Sequence, residues 1–357
     1  MTLRTVVWGT GNVGRPAIRA VLGHDALTLA GVIVADPAKI GLDAGDLAGV
    51  AATGVVATDG IDEVLAAEPD AVAYTASADF RPDEAMDDIE RCLRAGADVV
   101  TPGLYPLYHP PSAPEPMRAR FDAACADGST SLFATGIDPG WSFDILPLLL
   151  SGVAANIEEI RCQEIFDYST YDAPDAVRDL VGFGTPMDRT PPMLLPSVPT
   201  SVWGPMIRVL ADGLGVQLDD ITETSQRRAL DADVDIAGMG VFERGTQGAF
   251  RFEVRGMVGG RPVLVVEHIT RIVDDIAPDW PTPPSGDQGC HVVRITGRPS
   301  LHVTISARDS SSHNPAEGGN ASAASRLVNA IPAVCDQPPG LVHPLDLPLV
   351  TGRGQLA

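Results

Sequence analysis

Near its start the chain reads Thr5-Val6-Val7-Trp8-Gly9-Thr10-Gly11-Asn12-Val13-Gly14, a strand-forming run that breaks into GxGxxG and passes at once into a helical pattern. That combination leaves few folds open. A strand that turns into a helix over six residues uses its first glycine for the tight turn. The second lets backbone approach a diphosphate, and the third allows close packing of helix on strand. The helix then presents its terminal N–H groups to the phosphates. Gly9, Gly11, Asn12, Val13 and Gly14 are therefore predicted to hold a dinucleotide.

The same fingerprint asks for an acid about 20 residues further on, at the end of the second strand. Asp36, 22 residues after Gly14, closes Val32-Ile33-Val34-Ala35. A carboxylate there accepts bonds from the adenosine ribose hydroxyls and favours NAD. Lys39, three residues later, offers a cation to a 2′-phosphate, so the cofactor is read as NAD or NADP. Ligands sit beyond the carboxyl ends of parallel strands, which adds Thr75-Ala76-Ser77 and Thr101-Pro102-Gly103 to the candidate cofactor residues, with Thr75, Ala76, Ser77, Thr101 and Gly103 lining the ribose and nicotinamide.

The first third alternates short apolar runs with helical patterns, as βαβ units do. Strands are predicted at Thr5–Trp8, Leu27–Ala35, Ala71–Thr75, Val99–Thr101 and Ser131–Ala134, and helices at Arg15–Leu22, Pro82–Ala95 and Ala113–Ala126. After Gly140 the pattern changes. Ile157–Tyr168 reads as a strand, and Asp172–Pro205 as a proline- and glycine-rich loop with a short helix near Asp175–Gly182. From Ile221 to Ala307 long strands follow with turn punctuation. Phe250–Met257 and Val263–Ile272 form one predicted hairpin and Val292–Thr296 with Leu301–Ala307 a second. Such runs predict an antiparallel sheet whose apolar face is covered by helices or by a second subunit. Ala321–Val334 reads as a helix that returns to the first sheet. The fold class is thus α/β, a Rossmann-type parallel-sheet domain plus an α+β domain with a mainly antiparallel open sheet. The first domain spans residues 1–143 with a C-terminal return over 315–357, and a substrate domain spans 144–314.

Composition narrows the partners. A formal charge of −22 repels nucleic acid and anionic membranes. No uninterrupted apolar run approaches the roughly 20 residues that cross a bilayer. The first residues lead straight into a strand, which argues against a secretory signal. Five cysteines without a CxxC pair fit a reducing cytoplasm and neither a disulfide framework nor a zinc knuckle. The seven histidines, His24, His109, His268, His291, His302, His313 and His343, show no ligand-like spacing, so no metal is predicted. Ser310-Ser311-Ser312-His313-Asn314 lacks the setting of a nucleophile elbow. Lys39 is the only lysine, so lysine chemistry would have to use it.

With those residues stated, the chain resembles the native amine dehydrogenase and 2,4-diaminopentanoate dehydrogenase family, whose first domain is dihydrodipicolinate reductase-like. The likeness spans nearly the whole chain. It rests on Trp8–Gly14, on Asp36-Pro37-Ala38-Lys39-Ile40-Gly41 and on Gly136-Ile137-Asp138-Pro139-Gly140-Trp141. It continues in Arg326-Leu327-Val328-Asn329-Ala330-Ile331-Pro332 and Pro338-Pro339-Gly340-Leu341-Val342. The resemblance implies a Rossmann domain, a second domain that forms a homodimer through its sheet, and NAD(P)-linked reductive amination of a small ketone or aldehyde. Two departures stand out. The His-His pair and nearby lysine of true dihydrodipicolinate reductases are missing. So is the family's glutamate after the strand ending at Thr101, where the chain reads Pro102-Gly103-Leu104-Tyr105-Pro106-Leu107-Tyr108-His109.

The resemblance places Tyr105, Tyr108 and His109 where the family keeps its catalytic acid. Glu164 and Tyr168, on or just beyond the strand Ile157–Tyr168, are further candidates, because a carboxylate there could hold a substrate ammonium in place of the missing glutamate. Alternation puts Glu164, Phe166 and Tyr168 on one face and Ile165 and Asp167 on the other. Asp138 and Trp141 are candidates to orient the nicotinamide and wall the pocket. The reading is a NAD(P)-dependent oxidoreductase acting on a small carbonyl or amine compound. An alcohol or carbonyl reductase of the same fold and a non-catalytic dinucleotide-binding protein are the alternatives.

Overall fold

A computed structural model describes residues 2–171, 173–310, 312, 314 and 316–355. Ser311 and His313, considered above, and the Pro315 boundary lie outside the described residues. Two compact units result: unit 1 is Met1–Trp141 with Asn320–Ala357, and unit 2 is Ser142–Gly319.

Unit 1 follows from its apolar runs. β1 (Leu3–Trp8), β2 (Leu27–Ile33), β3 (Ala57–Thr58), β4 (Ala71–Tyr74), β5 (Asp98–Thr101) and β6 (Ser131–Ala134) pair in parallel. A short terminal strand, Gly340–Leu341, joins beside β6, so the order is terminal strand–β6–β5–β4–β1–β2–β3. Parallel strands buried on both faces read as continuous apolar runs, and every residue of β4 and β6 is buried. The helices are α1 (Gly14–Leu22), α2 (Ala44–Ala48), α3 (Ile61–Ala66), α4 (Pro82–Arg94) and α5 (Glu115–Gly128). On one face Ala17, Ile18 and Val21 of α1 share a core with Val7, Ala73, Val100 and Phe133. Leu327, Val328, Ile331 and Val334 of the C-terminal helix enter the same core.

Unit 2 opens with α6 (Ile145–Ser151) and β7 (Ala155–Asp167) and continues through α7 (Val198–Leu214). Then come β8 (Asp220–Ala229), β9 (Val234–Ile236), β10 (Gly240–Phe242), β11 (Gln247–Val258), β12 (Arg261–Arg271), β13 (Gly289–Arg298) and β14 (Leu301–Ile305). α8 (Glu317–Cys335) leads back into unit 1. The large sheet has the order β14–β13–β7–β12–β11–β8. Gly259 and Gly260, both at positive φ, make the two-residue turn between β11 and β12.

The large sheet is mainly antiparallel, as expected, with one parallel pair, β7 and β12. β12 and β13 lie on opposite sides of β7, and β13 runs antiparallel to it. One expectation needed correction. The stretch read as loop to Pro205 also contains the first half of α7. Trp203, Met206, Ile207, Leu210 and Ala211 are buried at the i, i+3, i+4, i+7, i+8 spacing of an amphipathic helix. Pro199 sits in the permissive first turn, while the internal Pro205 costs about 3 kcal/mol. Burial of the stripe on β11, β12 and β8 outweighs that cost.

Candidate active site

The glycine turn is explained by what crowds it and by what does not. Gly9 adopts φ +102°, and a Cβ there would lie 2.8 Å from the Ala76 nitrogen. A Cβ on Gly14 would come within 2.0 Å of the Gly9 carbonyl oxygen. Both glycines are required by the protein's own packing. Gly11 differs: a Cβ there would meet nothing within 4 Å. Nothing in the fold accounts for a glycine at that position, and an approaching diphosphate does. No side chain caps the N-terminus of α1, where Val13 is the cap residue, and Asn12 receives a long bond from Arg15. The residues present therefore fit a dinucleotide.

Neighbouring strand ends brace this turn. Thr75 Oγ1 donates to the carbonyls of Trp8 and Gly9, at 2.9 and 3.1 Å. Lys39 folds back so that Nζ lies 3.3 Å from Thr10 Oγ1 and 3.4 Å from its carbonyl oxygen. Asp36 follows β2 and accepts a bond from the Ala38 amide, with its side chain exposed. Thr101 is fully buried and accepts from the Gly103 amide. Ser77 bonds to Asp79. Asp79, absent from the sequence-level candidates, is a carboxylate on the loop after β4.

The three residues after β5 part company. The Tyr105 hydroxyl donates to Asp79 Oδ1 at 2.8 Å. Tyr108 is fully buried and its hydroxyl donates to the Pro102 carbonyl at 2.9 Å. His109 Nδ1 lies 2.8 Å from Ser112 Oγ, and its ring packs edge-on against His343. Tyr105 thus meets a carboxylate, Tyr108 a backbone carbonyl and His109 a serine.

In unit 2, Glu164 is the centre of a row across three adjacent strands. His268 of β12 stands directly opposite it on one side and His291 of β13 on the other. His268 Nε2 lies 2.8 Å from Glu164 Oε2, and His291 Nε2 lies 3.8 Å from Oε1. Burial pushes the His268 imidazole down to about 3, helped by His291, and burial alone pushes His291 down to about 4. Both rings are neutral at ordinary pH, so a carboxylate is flanked by two uncharged imidazoles. Aromatic groups enclose it. Trp203 of α7 packs on Phe252 and on His268, with ring centroids 4.7 and 5.3 Å apart, and Phe143 meets His291 edge-on. Phe166 spreads over Gly289, where a Cβ would strike the ring at 2.1 Å.

β7 ends at Asp167, so Tyr168 leaves the strand and begins a 3-10 turn, and the alternation argument stops one residue short of it. It nevertheless packs on Phe166, Tyr171 and Phe183. The opposite face of the sheet is charged: Arg161 bonds to Glu253 and Glu267, at 2.6 and 2.8 Å. Sequence reasoning did not single out His268 and His291 as partners of Glu164. The one signal was the place of His268 inside one predicted hairpin and of His291 just before another, which says nothing of register against a strand over 100 residues earlier.

Residues 141–354 match the family described as 2,4-diaminopentanoate dehydrogenase C-terminal domain. A protein named amine dehydrogenase, from Streptomyces virginiae, is 58% identical over 355 residues, covering 99% of this chain and 98% of that one. Among solved structures, an amine dehydrogenase from Mycobacterium smegmatis matches with a TM-score of 0.76 at 22% identity, over 100% of this chain and 99% of that one. An oxidoreductase from Agrobacterium radiobacter, in complex with NAD+, L-tartaric acid and magnesium, matches with a TM-score of 0.55 at 10% identity, over 93% and 88%. At these identities the two structures establish the fold.

Proposed function

The chain belongs to the family of 2,4-diaminopentanoate and amine dehydrogenases, and from that premise we propose that it is a NAD-linked amine dehydrogenase acting on a small primary amine and its ketone or aldehyde. In the oxidative direction the amine, NAD+ and water give the carbonyl compound, ammonia, NADH and a proton. The observation that carries the dinucleotide half is the contrast within the fingerprint, where two glycines are jammed by backbone and the middle one faces open space.

When bound, the nicotinamide gives or takes the hydride. The chain's own residues position and protonate. Thr75 fixes the turn on which the diphosphate rests. Asp36 receives the adenosine ribose hydroxyls, which makes NAD the preferred form over NADP. Lys39 is drawn onto Thr10 and adds positive charge beside the turn. Tyr105, its hydroxyl held by Asp79, is the candidate proton donor of unit 1.

The test is carbonyl reduction by NADH across small ketones and aldehydes, with and without ammonium. Turnover that depends on ammonium is expected. Equal rates in both conditions would instead favour a carbonyl reductase using Tyr105 as its acid, the second reading that the Tyr105–Asp79 bond supports.

Two features bear on the protein's setting. Among the described residues no helix is long and apolar enough to cross a membrane. Burial raises the thiols of Cys92 and Cys125 to about 12 and that of Cys290 to about 11, which suits unreactive thiols in a reducing cytoplasm. α7 covers one face of the unit 2 sheet, and the charged opposite face is proposed to pair two subunits. Sedimentation should then show a dimer, and a monomer at all concentrations would remove that part of the reading.

A further inference from the structure

The face of the unit 2 sheet that carries Arg161 holds a second basic group with a different fate. Arg161 on β7 stands directly opposite Arg294 on β13, and Arg294 stands opposite His302 on β14, so three basic side chains form one row. Like charges directly opposite one another destabilise a sheet unless they find partners. Arg161 has its partners in Glu159, Glu253 and Glu267. The exposed Arg294 side chain has neither an ion pair nor a hydrogen bond among the described residues. In a chain where acids outnumber lysine and arginine by 47 to 25, this row is left with positive charge to spare.

What sets Arg294 apart from an ordinary surface arginine is the hollow it lines. β12 ends at Arg271 and β13 begins at Gly289, on opposite sides of β7, so the loop between them must pass the end of β7. Pro281 and Pro283 of that loop share a cavity of about 280 Å³ with Ile165 of β7 and Val292 of β13. Arg294, His302 and Thr304 line the same cavity, and Thr304 Oγ1 lies 3.4 Å from His302 Nε2. These groups select the ligand. A guanidinium matches the two oxygens of a carboxylate with paired N–H donors. The prolines, the isoleucine and the valine favour an apolar body, which inorganic phosphate lacks. Pockets for drug-sized ligands run to about 300–1,000 Å³, so this one suits a body of only a few carbons.

We propose that unit 2 holds a ligand site of its own, in which Arg294 grips the carboxylate of a small organic acid and the prolines of the β12–β13 loop pack on its apolar body. The site is built from unit 2 alone and does not depend on the amine dehydrogenase reading. A bound acid ties the loop to β13 and stabilises the folded chain.

Calorimetry on the full-length protein with isovalerate, 3-methylbutanol and inorganic phosphate tests the site. The three probes carry charge with an apolar body, the body without charge, and charge without the body. Isovalerate should bind at least about tenfold more tightly than either of the others. Arg294→Gln should lose at least about tenfold in isovalerate affinity. Its urea midpoint without ligand should stay unchanged, because the side chain it replaces is exposed. Isovalerate should also raise the melting temperature of the unaltered protein and not that of Arg294→Gln. No isovalerate binding, equal affinity for the acid and the alcohol, or full affinity in Arg294→Gln overturns the site. Phosphate binding as tight as that of isovalerate overturns the role of the apolar body. If isovalerate does not bind and Arg294→Gln turns a dimer into a monomer in sedimentation, the acid is a side chain of a second copy and the proposal falls.

Discussion

The seven-stranded sheet of unit 1 and the six-stranded sheet of unit 2 present chemistry by different means. In unit 1 the backbone is the instrument. Glycines leave the main chain bare at the turn where a diphosphate is proposed to rest, and the Thr75 side chain bonds to that main chain. In unit 2 the side chains are the instrument. Glu164, His268 and His291 meet because three strands align, and the backbone beneath them is ordinary sheet. A site of the first kind tolerates almost no change at a few positions. A site of the second kind resists change through its burial and its charge.

The largest expected effect lies at Gly14. Gly14→Ala forces a methyl against the Gly9 carbonyl and should cost about 3 kcal/mol or more, read as a lowered urea midpoint together with lost NAD binding. Unchanged stability would break the claim that unit 1 depends on bare backbone.

The second effect belongs to unit 2 and to pH. An unfolded histidine titrates near 6.5, whereas folded His268 and His291 resist protonation down to about 3 and about 4. Between those limits the unfolded chain takes up protons that the folded one refuses. The stabilisation is complete above pH 6.5 and is lost as pH falls. For His291 alone this amounts to roughly 3 kcal/mol by pH 4. Urea titrations at pH 7 and pH 4 should show a smaller difference for His291→Gln than for the unaltered chain, and an equal difference would contradict the assignment.

Gly11→Val sharpens the comparison because it should separate binding from stability. Its side chain enters open space, so the melting temperature should hold while NAD affinity falls at least about tenfold, or about 1.4 kcal/mol. A fall in stability with intact binding would reverse the interpretation of that glycine. The smallest effect is at Asp36, where Asp36→Ala should shift the NAD-over-NADP ratio by about fivefold, close to 1 kcal/mol for one hydrogen-bonded carboxylate. A ratio that does not move would assign specificity elsewhere.

The same contrast explains what could be read from the sequence. A backbone site leaves its mark in spacing, so Gly9, Gly11 and Gly14 mark the first strand and its helix in the sequence itself. The β11–β12 hairpin was legible because Gly259-Gly260 marks its turn. The alignment of Glu164 with His268 and His291 was not, since register between strands over 100 residues apart is set by packing and by no local pattern. α7 hid behind its prolines, because the burial that rescues Pro205 is supplied by strands that come later in the chain. Tyr105, Tyr108 and His109 looked alike as neighbours in sequence, yet one meets a carboxylate, one a backbone carbonyl and one a serine.

The fold of Lys39 onto Thr10 has a practical consequence. A chain with a single lysine offers carbonyl compounds only one side-chain amine with which to condense, and that amine sits at the glycine turn. Acylation of Lys39, followed by mass spectrometry, would act as a one-residue gauge of whether the turn is filled, since a seated diphosphate would hide the amine from the reagent.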